Sequence, residues 1–252
     1  MGKRPKKKIV LVLVEGQSDI NALSYAIPQL YDEIDEEYEV FFPVLHDERQ
    51  TCGDITSKYG VRPENIERLI SKLFIDDFLK DYGLYPKDIT EIIQIIDIDG
   101  VYIDDDCVLE SKGGYNGKST YYAADKIETA DVASIVERNK RKRENLDHLS
   151  SLDRIKVGSK TIDYYAYYFS CNMDHMLHGD ANIESFNKCR KADEFTDICI
   201  ADDTFFSNFF CMDDGSATGM TYEESWQFIK ESNHSLERHS NLNLLIERLK
   251  EE

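Results

Sequence analysis

Apolar runs and helical periodicities alternate along the first hundred residues of the chain. Three runs are rich in apolar and β-branched residues and short enough to be strands; they are residues 8–14, 39–45 and 91–96. Between them, apolar side chains recur at helical spacing from about Asp19 to Leu30 and from Pro63 to about Tyr82. The pattern predicts the order strand–helix–strand–helix–strand.

This alternation is typical of an α/β fold with a central parallel sheet and helices on its faces. Right-handed crossover connections then bring the C-terminal ends of the strands to one edge of the sheet. Ligands of open α/β sheets bind at that edge. We therefore expect functional residues directly after the strands.

The second half of the chain predicts a different mixture of elements. Residues 101–120 are polar and rich in glycine, and residues 122–150 predict one long, highly charged helix. An aromatic run at about 164–169 predicts one further core strand. Helices are predicted from Asn182, over 221–230 and over about 241–250. We divide the chain into the first part of a catalytic core, 8–120, and a helical insertion with that strand and C-terminal helices, 121–252, which together form one compact unit.

Composition and charge narrow the class of protein. Of the 252 residues, 41% are hydrophobic, which is enough for a buried core, and no apolar run approaches the length of a membrane span. The basic N-terminus is followed by too short an apolar stretch for a signal peptide, so we expect a cytoplasmic protein. The net charge of −19 means that contacts with nucleic acid must come from local basic patches. The basic side chains within 138–143 form one such patch, or else an ordinary solvated helix face.

Four acidic residues fall at predicted strand ends. Glu15 is the first polar residue after the first strand, Gly16 would allow a tight turn, and Asp19 lies in the first turn of the next helix. Asp97 and Asp99 close the third strand and would point to the same side if the extended conformation persists. Side-by-side packing of these strands would bring all four carboxylates together.

Carboxylates that close repel one another unless a cation lies between them. Mg²⁺ takes oxygen ligands and leaves coordination positions for water and phosphate. Two such ions can stabilise the attacking and the leaving oxygen of a phosphoryl transfer. The sequence therefore predicts a site for Mg²⁺ or Mn²⁺, with one or two ions.

The motif Val14-Glu15-Gly16-x-Ser18-Asp19, followed downstream by Asp97-x-Asp99, resembles the Toprim domain over about residues 8–105. Topoisomerases, bacterial primases, RNA maturases and OLD-family nucleases share this domain. The additional Asp19 is most similar to the standalone OLD-family and RloB-like members, which are linked to phage defence. The resemblance implies a Toprim-like parallel sheet with a helical C-terminal elaboration, and a metal-dependent nuclease acting on DNA or RNA. It makes Glu15 a metal ligand or general acid/base, gives Asp97 and Asp99 to Mg²⁺, and gives Asp19 to a second ion.

A later stretch, 170–178, is similar to a segment of RloB-like proteins, although their proline and tryptophan are absent here. Asp174 stands where they carry glutamate, which implies a metal ligand, and His178 stands near their terminal histidine, which implies a substrate contact. A helix cap is the alternative for Asp174. Lys112 and Lys118 flank a glycine-rich loop from which they could meet a scissile phosphate, or they lie on a solvated loop.

Two other functions remain open. Residues 95–101 also resemble the first motif of haloacid-dehalogenase-type phosphatases, with Asp97 as nucleophile and Asp99 as acid/base. That motif normally opens its domain, and the phosphatase leaves Glu15 and Asp19 without a role. A non-catalytic, Toprim-like interaction module is the third hypothesis. A homodimer and a regulatory protein partner are compatible with all three.

Overall fold

The computed structural model describes residues 7–43, 53–111, 120–212 and 214–251. The predicted substrate contacts Lys112 and Lys118 lie outside the described residues. None of the helices in the described ranges is long and apolar enough to cross a membrane.

Eight strands and ten α-helices are found among the described residues, and they alternate through the first half of the chain. The strands are β1 Lys8–Leu13, β2 Tyr38–Phe41, β3 Ile89–Asp97, β4 Val108–Glu110, β5 Thr120–Tyr122, β6 Ile127–Thr129, β7 Arg154–Val157 and β8 Lys160–Phe169. The helices are α1 Gln17–Leu23, α2 Ala26–Asp32, α3 Pro63–Ile70, α4 Asp76–Tyr82, α5 Val132–Leu149, α6 Met173–His178, α7 Ser185–Ala201, α8 Phe205–Met212, α9 Tyr222–Ile229 and α10 Leu242–Glu251.

The central sheet has five strands in the order β2-β1-β3-β8-β7. β1, β2, β3 and β8 are parallel, and only β7 runs antiparallel, as a hairpin with the start of β8. The prediction of an α/β protein with a mostly parallel central sheet flanked by helices is confirmed. β3 lies in the middle of this sheet, between the strand that precedes Glu15 and the aromatic strand of the second half.

Both faces of the sheet are covered, which explains the continuous apolar run of β1 from Ile9 to Leu13. Leu11 of β1 and Ile92 of β3 pack with α3, α4, α5 and α9 on one face. Val12 and Ile93 pack with α1, α2, α7, α8 and α10 on the other. Each of these four side chains is fully buried, which stabilises the fold by about 1.5–3 kcal/mol per residue.

Several elements differ from the sequence-based prediction. The helix predicted over 63–82 is continuous but contains a π-helical turn at Ser71–Ile75, between α3 and α4. The helix predicted from residue 122 begins only at Val132, after an N-cap at Asp131. The residues before it form β5 and β6, which pair with β4 in a small separate sheet. Three-residue strands leave no detectable alternation in the sequence, because their pairing depends on partners elsewhere in the chain.

The predicted strand over 164–169 is the C-terminal part of β8, whose first four residues pair with β7. Beyond that hairpin, side chains rather than a strand satisfy the outer edge of β8. The Tyr222 hydroxyl accepts from the Ala166 N–H at 3.3 Å and donates to the Ala166 carbonyl at 2.9 Å. Asn241 Oδ1 accepts from the Tyr168 N–H at 2.7 Å. The edge is thereby closed to pairing with another chain.

Candidate active site

The ends of β1, β3 and β8 meet at one edge of the sheet, as the parallel topology requires. Glu15 follows β1, Asp97 ends β3, and Asp174 lies in α6 just beyond β8. The Asp97 backbone N–H donates to Glu15 Oε1 at 3.1 Å, so the two sequence motifs are in direct contact. The predicted acidic residues of both halves of the chain are therefore assembled at this edge.

Asp19 shapes the turn that carries Glu15. Its Oδ2 accepts from the N–H groups of Glu15 at 3.0 Å and Gly16 at 2.8 Å, which satisfies free donors before α1. Gly16 has φ −158° and ψ 179°, an extended conformation open to any residue. The turn therefore does not use the conformational freedom of Gly16, because the Asp19 carboxylate holds it.

Asp97 and Asp99 do not point to the same side, contrary to the simplest expectation from their spacing. The extended conformation ends at Asp97, and Asp99 has a left-handed backbone with φ 56°. Asp97 Oδ1 accepts from the Met173 N–H at the start of α6, at 2.8 Å. Asp99 turns instead towards Glu15 and α5. The acidic residues are thus divided between two groups.

The first group, here named the Lys142 cluster, consists of Glu15, Asp54 and Asp99 around the ammonium of Lys142. Its Nζ lies 2.7 Å from Asp99 Oδ2, 3.1 Å from Asp54 Oδ2 and 3.4 Å from Glu15 Oε1. The three acids have carboxylate oxygens within 4.8 Å of one another. Because an ammonium has three donors, Lys142 is fully used by these three partners.

Sequence reasoning missed two members of this cluster, Asp54 and Lys142. Lys142 was expected on a solvated helix face or a nucleic-acid patch, but its side chain is fully buried. It faces inwards because α5 packs on the loop that carries Asp54: Asn145 Nδ2 donates to the Thr56 carbonyl at 2.8 Å, and Arg141 Nε donates to that of Ser57 at 2.8 Å. The available signal in the sequence was the spacing of Lys142 and Asn145, which places two polar side chains on one face of the helix. Solvated helix faces show the same spacing.

Further donors fix Asp99 in place. Its Oδ1 accepts from the Tyr122 hydroxyl at 2.9 Å, and its carbonyl accepts from Arg138 Nη2 at 3.1 Å. Arg138 Nη1 lies 4.0 Å from the carboxylate. Burial alone would raise the pKa of Asp99, but Lys142 and Arg138 lower it to about 2. Asp99 is therefore held as a carboxylate with both oxygens occupied.

The pKa values of Glu15 and Lys142 are both raised, because the two groups are buried close to other charges. Burial and the neighbouring Asp54 raise the pKa of Glu15 well above its usual value, against the effect of Lys142. Burial favours a neutral Lys142, but Asp54, Asp99 and Glu15 together raise its pKa. Lys142 is therefore a permanent cation, whereas Glu15 is the acid of this cluster that most readily holds a proton.

The second group, here named the Lys188 cluster, is defined by charge: against the effect of burial, Asp174, Asp97 and Asp19 each raise the pKa of Lys188 of α7. Lys188 Nζ lies 2.6 Å from Asp174 Oδ2, and the side chain of Lys188 is one-third exposed. Asp174 itself is 2% exposed, and its Oδ1 has no hydrogen-bond partner among the described residues. This cluster therefore contains a buried acceptor that its protein neighbours do not satisfy.

Burial, and after it repulsion from neighbouring acids, raises the pKa values of Asp19 and Asp97. Burial raises the pKa of Asp19 to about 6, against the N–H groups of Gly16 and Glu15 and the charge of Lys188, while Asp174 raises it further. Burial, followed by the charges of Asp19 and Asp99, raises the pKa of Asp97 well above its usual value. Asp97 lies between the two clusters, since both Lys188 and Lys142 lower its pKa.

Two predicted residues have different surroundings from those expected. Asp174 is not the helix cap: the cap of α6 is Asn172, whose side chain accepts from the His175 N–H at 2.9 Å. His178 is half-buried at the end of α6, where burial lowers its pKa against the charge of Asp174, and Lys191 of α7 lowers it further. No contact between His178 and Glu15, Asp97 or Asp99 is found among the described residues.

Among the described residues, Glu15, Asp54 and Asp99 are the acids whose ligand oxygens lie within 4.8 Å of one another, and an all-carboxylate donor set suits a hard divalent cation. The Lys142 cluster already contains a cation with three partners. The Lys188 cluster has the unsatisfied Asp174 Oδ1 and an excess of negative charge. Comparison of the chain with protein-family models, with curated proteins and with solved structures finds no match.

Proposed function

We propose that this protein is a divalent-metal-dependent nuclease that hydrolyses phosphodiester bonds at the carboxylate edge of its sheet. The observation that carries the proposal is the convergence of Glu15, Asp97 and Asp174, from three parallel strand ends, with Glu15 accepting from the Asp97 N–H. The resemblance to Toprim nucleases of the OLD and RloB-like kind points to the same chemistry and to a role in phage defence.

The residues at this edge would have different roles in such a reaction. Carboxylates of this edge would hold Mg²⁺ or Mn²⁺. Glu15 and Asp99, with Asp54, have ligand oxygens within 4.8 Å of one another, and Asp19, Asp97 and Asp174 are the further candidates. The ion would neutralise the phosphate and activate a water. Glu15 is the candidate general acid/base, because its side chain keeps 19% exposure and its raised pKa suits it to hold and release a proton.

A groove on the outer side of α5 supports nucleic acid as the substrate rather than a small phosphate ester. The groove measures about 410 Å³ and is lined by Tyr59, Arg62, Lys140 and Arg141, with two glutamates. The Tyr59 side chain is 92% exposed, which favours an aromatic surface available for stacking. Surfaces that bind single-stranded nucleic acid typically combine basic side chains, which contact the phosphate backbone, with an aromatic ring on which bases stack. The groove runs along the outer side of the helix and loop that supply Lys142 and Asp54.

The phosphatase alternative is disfavoured by the partners of Asp99. That mechanism requires Asp99 to donate a proton to the leaving group. Both of its carboxylate oxygens instead accept from donors, Tyr122 and Lys142, and its pKa is lowered to about 2. A group in this state has no proton to give at neutral pH.

The proposal is tested by cleavage assays on plasmid, single-stranded DNA and tRNA with Mg²⁺ or Mn²⁺. We expect the wild-type protein to cleave at least one substrate, and EDTA to stop the reaction. Glu15→Gln and Asp97→Asn should each slow cleavage by at least about a hundredfold. Glu36→Gln, an exposed control of the same chemistry, should cleave like wild type.

Three results would refute the nuclease. Equal cleavage by wild type and both site variants would place the activity elsewhere, in a contaminant or another site. Hydrolysis of p-nitrophenyl phosphate that depends on Asp97 but not on Glu15 would favour the phosphatase. Nucleic-acid binding without turnover under any metal would favour the interaction module.

A further inference from the structure

A cavity of about 540 Å³ lies beside the middle of β8, away from the carboxylates at the strand ends. It is bounded by the loop before β7, by the start of α9 and by α10. Tyr165, which lines it, is four residues before Phe169 at the end of β8, or roughly 13 Å of extended strand. The proposed reaction does not use this cavity, and its volume is typical of a small-molecule site.

Aromatic rings make up much of the lining, which includes Tyr164, Tyr165, Tyr167 and Tyr222. Two of their hydroxyls are used within the protein: Tyr164 donates to Gln94 at 2.8 Å, and Tyr222 pairs with the backbone of Ala166. These two residues therefore offer a ligand ring surface, and ring faces attract cations. The guanidinium of Arg248 lies 4.1 Å from the centroid of the Tyr165 ring, so this lining already holds one cation of the protein.

The charged side chains of the lining are mostly acidic. Three separate elements supply exposed carboxylates, which are Asp153, Glu223, Glu247 and Glu251. Among the described residues that line the cavity, the basic one is Arg248, and its guanidinium is paired with the buried Glu91 at 2.8 Å. The cavity therefore combines ring surfaces with an excess of negative charge, which is complementary to an organic cation.

The backbone of β8 beside the cavity is closed to an added peptide strand. The Tyr222 hydroxyl uses both the N–H and the carbonyl of Ala166, and Asn241 accepts from the Tyr168 N–H. A bound peptide would lack the main-chain partners that strand addition needs. A small flexible cation needs none, and one with several ammonium groups reaches carboxylates on different elements at the same time.

We infer that this cavity binds a linear aliphatic polyamine of the size of spermidine. Its methylene chain packs on the tyrosine rings, and its ammonium groups pair with the acids of α9, α10 and the loop before β7. The site is separate from the carboxylate edge of the sheet. The inference therefore stands or falls independently of the proposed nuclease.

The single tryptophan of the chain reports on this cavity. Trp226 Nε1 donates at 3.3 Å to the Ala166 carbonyl, which also accepts from Tyr222 of the lining. Titration of the full chain with spermidine at low salt, followed by tryptophan fluorescence and calorimetry, should show one saturable site per chain. Added salt should weaken this binding, because exposed charges are screened.

A matched pair of double variants assigns the binding to the cavity. Asp153→Asn with Glu247→Gln removes two charges of the lining, while the amide at position 247 still accepts from Asn243. We expect spermidine affinity to fall about three- to tenfold. Glu64→Gln with Asp125→Asn removes two exposed charges elsewhere and should change the affinity by less than about twofold. Circular dichroism checks that both proteins are folded.

Four results would overturn the inference. Equal losses in the two double variants would show general attraction of a polycation to a chain of net charge −19. Tetramethylammonium bound as tightly as spermidine would show that the ring surfaces act without the separated acids. Tight binding of tetralysine without a response to spermidine would make the cavity a peptide site. No saturable binding at millimolar spermidine would exclude a polyamine site.

Discussion

The Asp97 backbone N–H donates to Glu15 Oε1 across 3.1 Å, although the two residues are 82 positions apart. This bond joins the ends of β1 and β3 at the place where both strands stop pairing with each other. It also means that Glu15 has a structural partner besides any catalytic one. Variants of Glu15 can separate the two roles, because an amide keeps the acceptor and removes the charge.

We expect Glu15→Gln to unfold at the same or a higher denaturant concentration than wild type, since it removes the repulsion from Asp54 and retains the bond to Asp97. Glu15→Ala should lose about 1–3 kcal/mol, because the Asp97 N–H then lacks its acceptor. Urea unfolding at pH 7.5 measures both. Equal destabilisation by glutamine and alanine would show that the bond contributes nothing.

Lys142 should be essential to the fold of the site. Lys142→Met leaves three clustered carboxylates without their ammonium, and we expect a loss of about 3–5 kcal/mol in the free energy of unfolding. Lys140→Met, on the exposed side of the same helix, should change it by less than about 0.5 kcal/mol. The comparison is made by urea unfolding at neutral pH. A Lys142 variant as stable as the Lys140 variant would contradict the central role given to this ammonium.

Two glycines near Glu15 should differ in their tolerance of alanine. A Cβ at Gly53 would lie 2.1 Å from the Glu15 carbonyl oxygen, to which the Gly53 N–H donates at 2.8 Å. Gly53→Ala must therefore shift backbone at the site, and we expect losses of both stability and metal affinity. Gly16 has nothing within 4 Å of such a Cβ, so Gly16→Ala should behave like wild type in thermal unfolding and Mn²⁺ titration. Equal effects of the two substitutions would argue against this turn geometry.

Tyr59 should contribute to substrate binding without affecting chemistry. In a Glu15→Gln background, which prevents cleavage, Tyr59→Ala should weaken binding of a fluorescent single-stranded oligonucleotide by about 1–3 kcal/mol. Tyr85→Ala is the control, because Tyr85 is 63% exposed and precedes β3 at the opposite end of the strand. Fluorescence anisotropy gives both affinities. Similar losses of affinity for the two tyrosine variants would show that the groove is not part of the binding surface.

His239 should make the fold sensitive to acid. Its ring is 6% exposed, and burial, aided by His234, lowers its pKa from 6.5 to about 4. Because the unfolded chain takes up a proton before the folded one, this stability is complete above about pH 6.5 and is lost as the pH falls towards 4. The expected loss is about 3 kcal/mol. His239→Gln should flatten this part of the profile, measured by urea unfolding at pH 7.5, 5.5 and 4.5; parallel profiles would contradict the assignment.

The predictions that succeeded rest on local patterns. The buried strands were recognisable from continuous apolar runs, and the helix predicted over 221–230 corresponds to α9, which begins with a capping box of Thr221 and Glu224. The placement of Glu15 and Asp97 at one edge followed from parallel topology. The short strands β4, β5 and β6 and the late start of α5 were missed, because three-residue strands are defined by their partners rather than by their own sequence.

The sequence by itself determined which strands form and which acids follow them, because burial on two faces and the position of a strand end are both local properties. Only the tertiary structure decided how those acids are divided. The left-handed turn at Asp99 separates it from Asp97, and Lys142 meets Asp54 across 88 positions of chain. A helix face carrying lysine is compatible with solvent or with a buried acidic cluster. The packing of α5 on the Asp54 loop buries Lys142 among the acids. This packing therefore also determines which carboxylates are available for a metal ion.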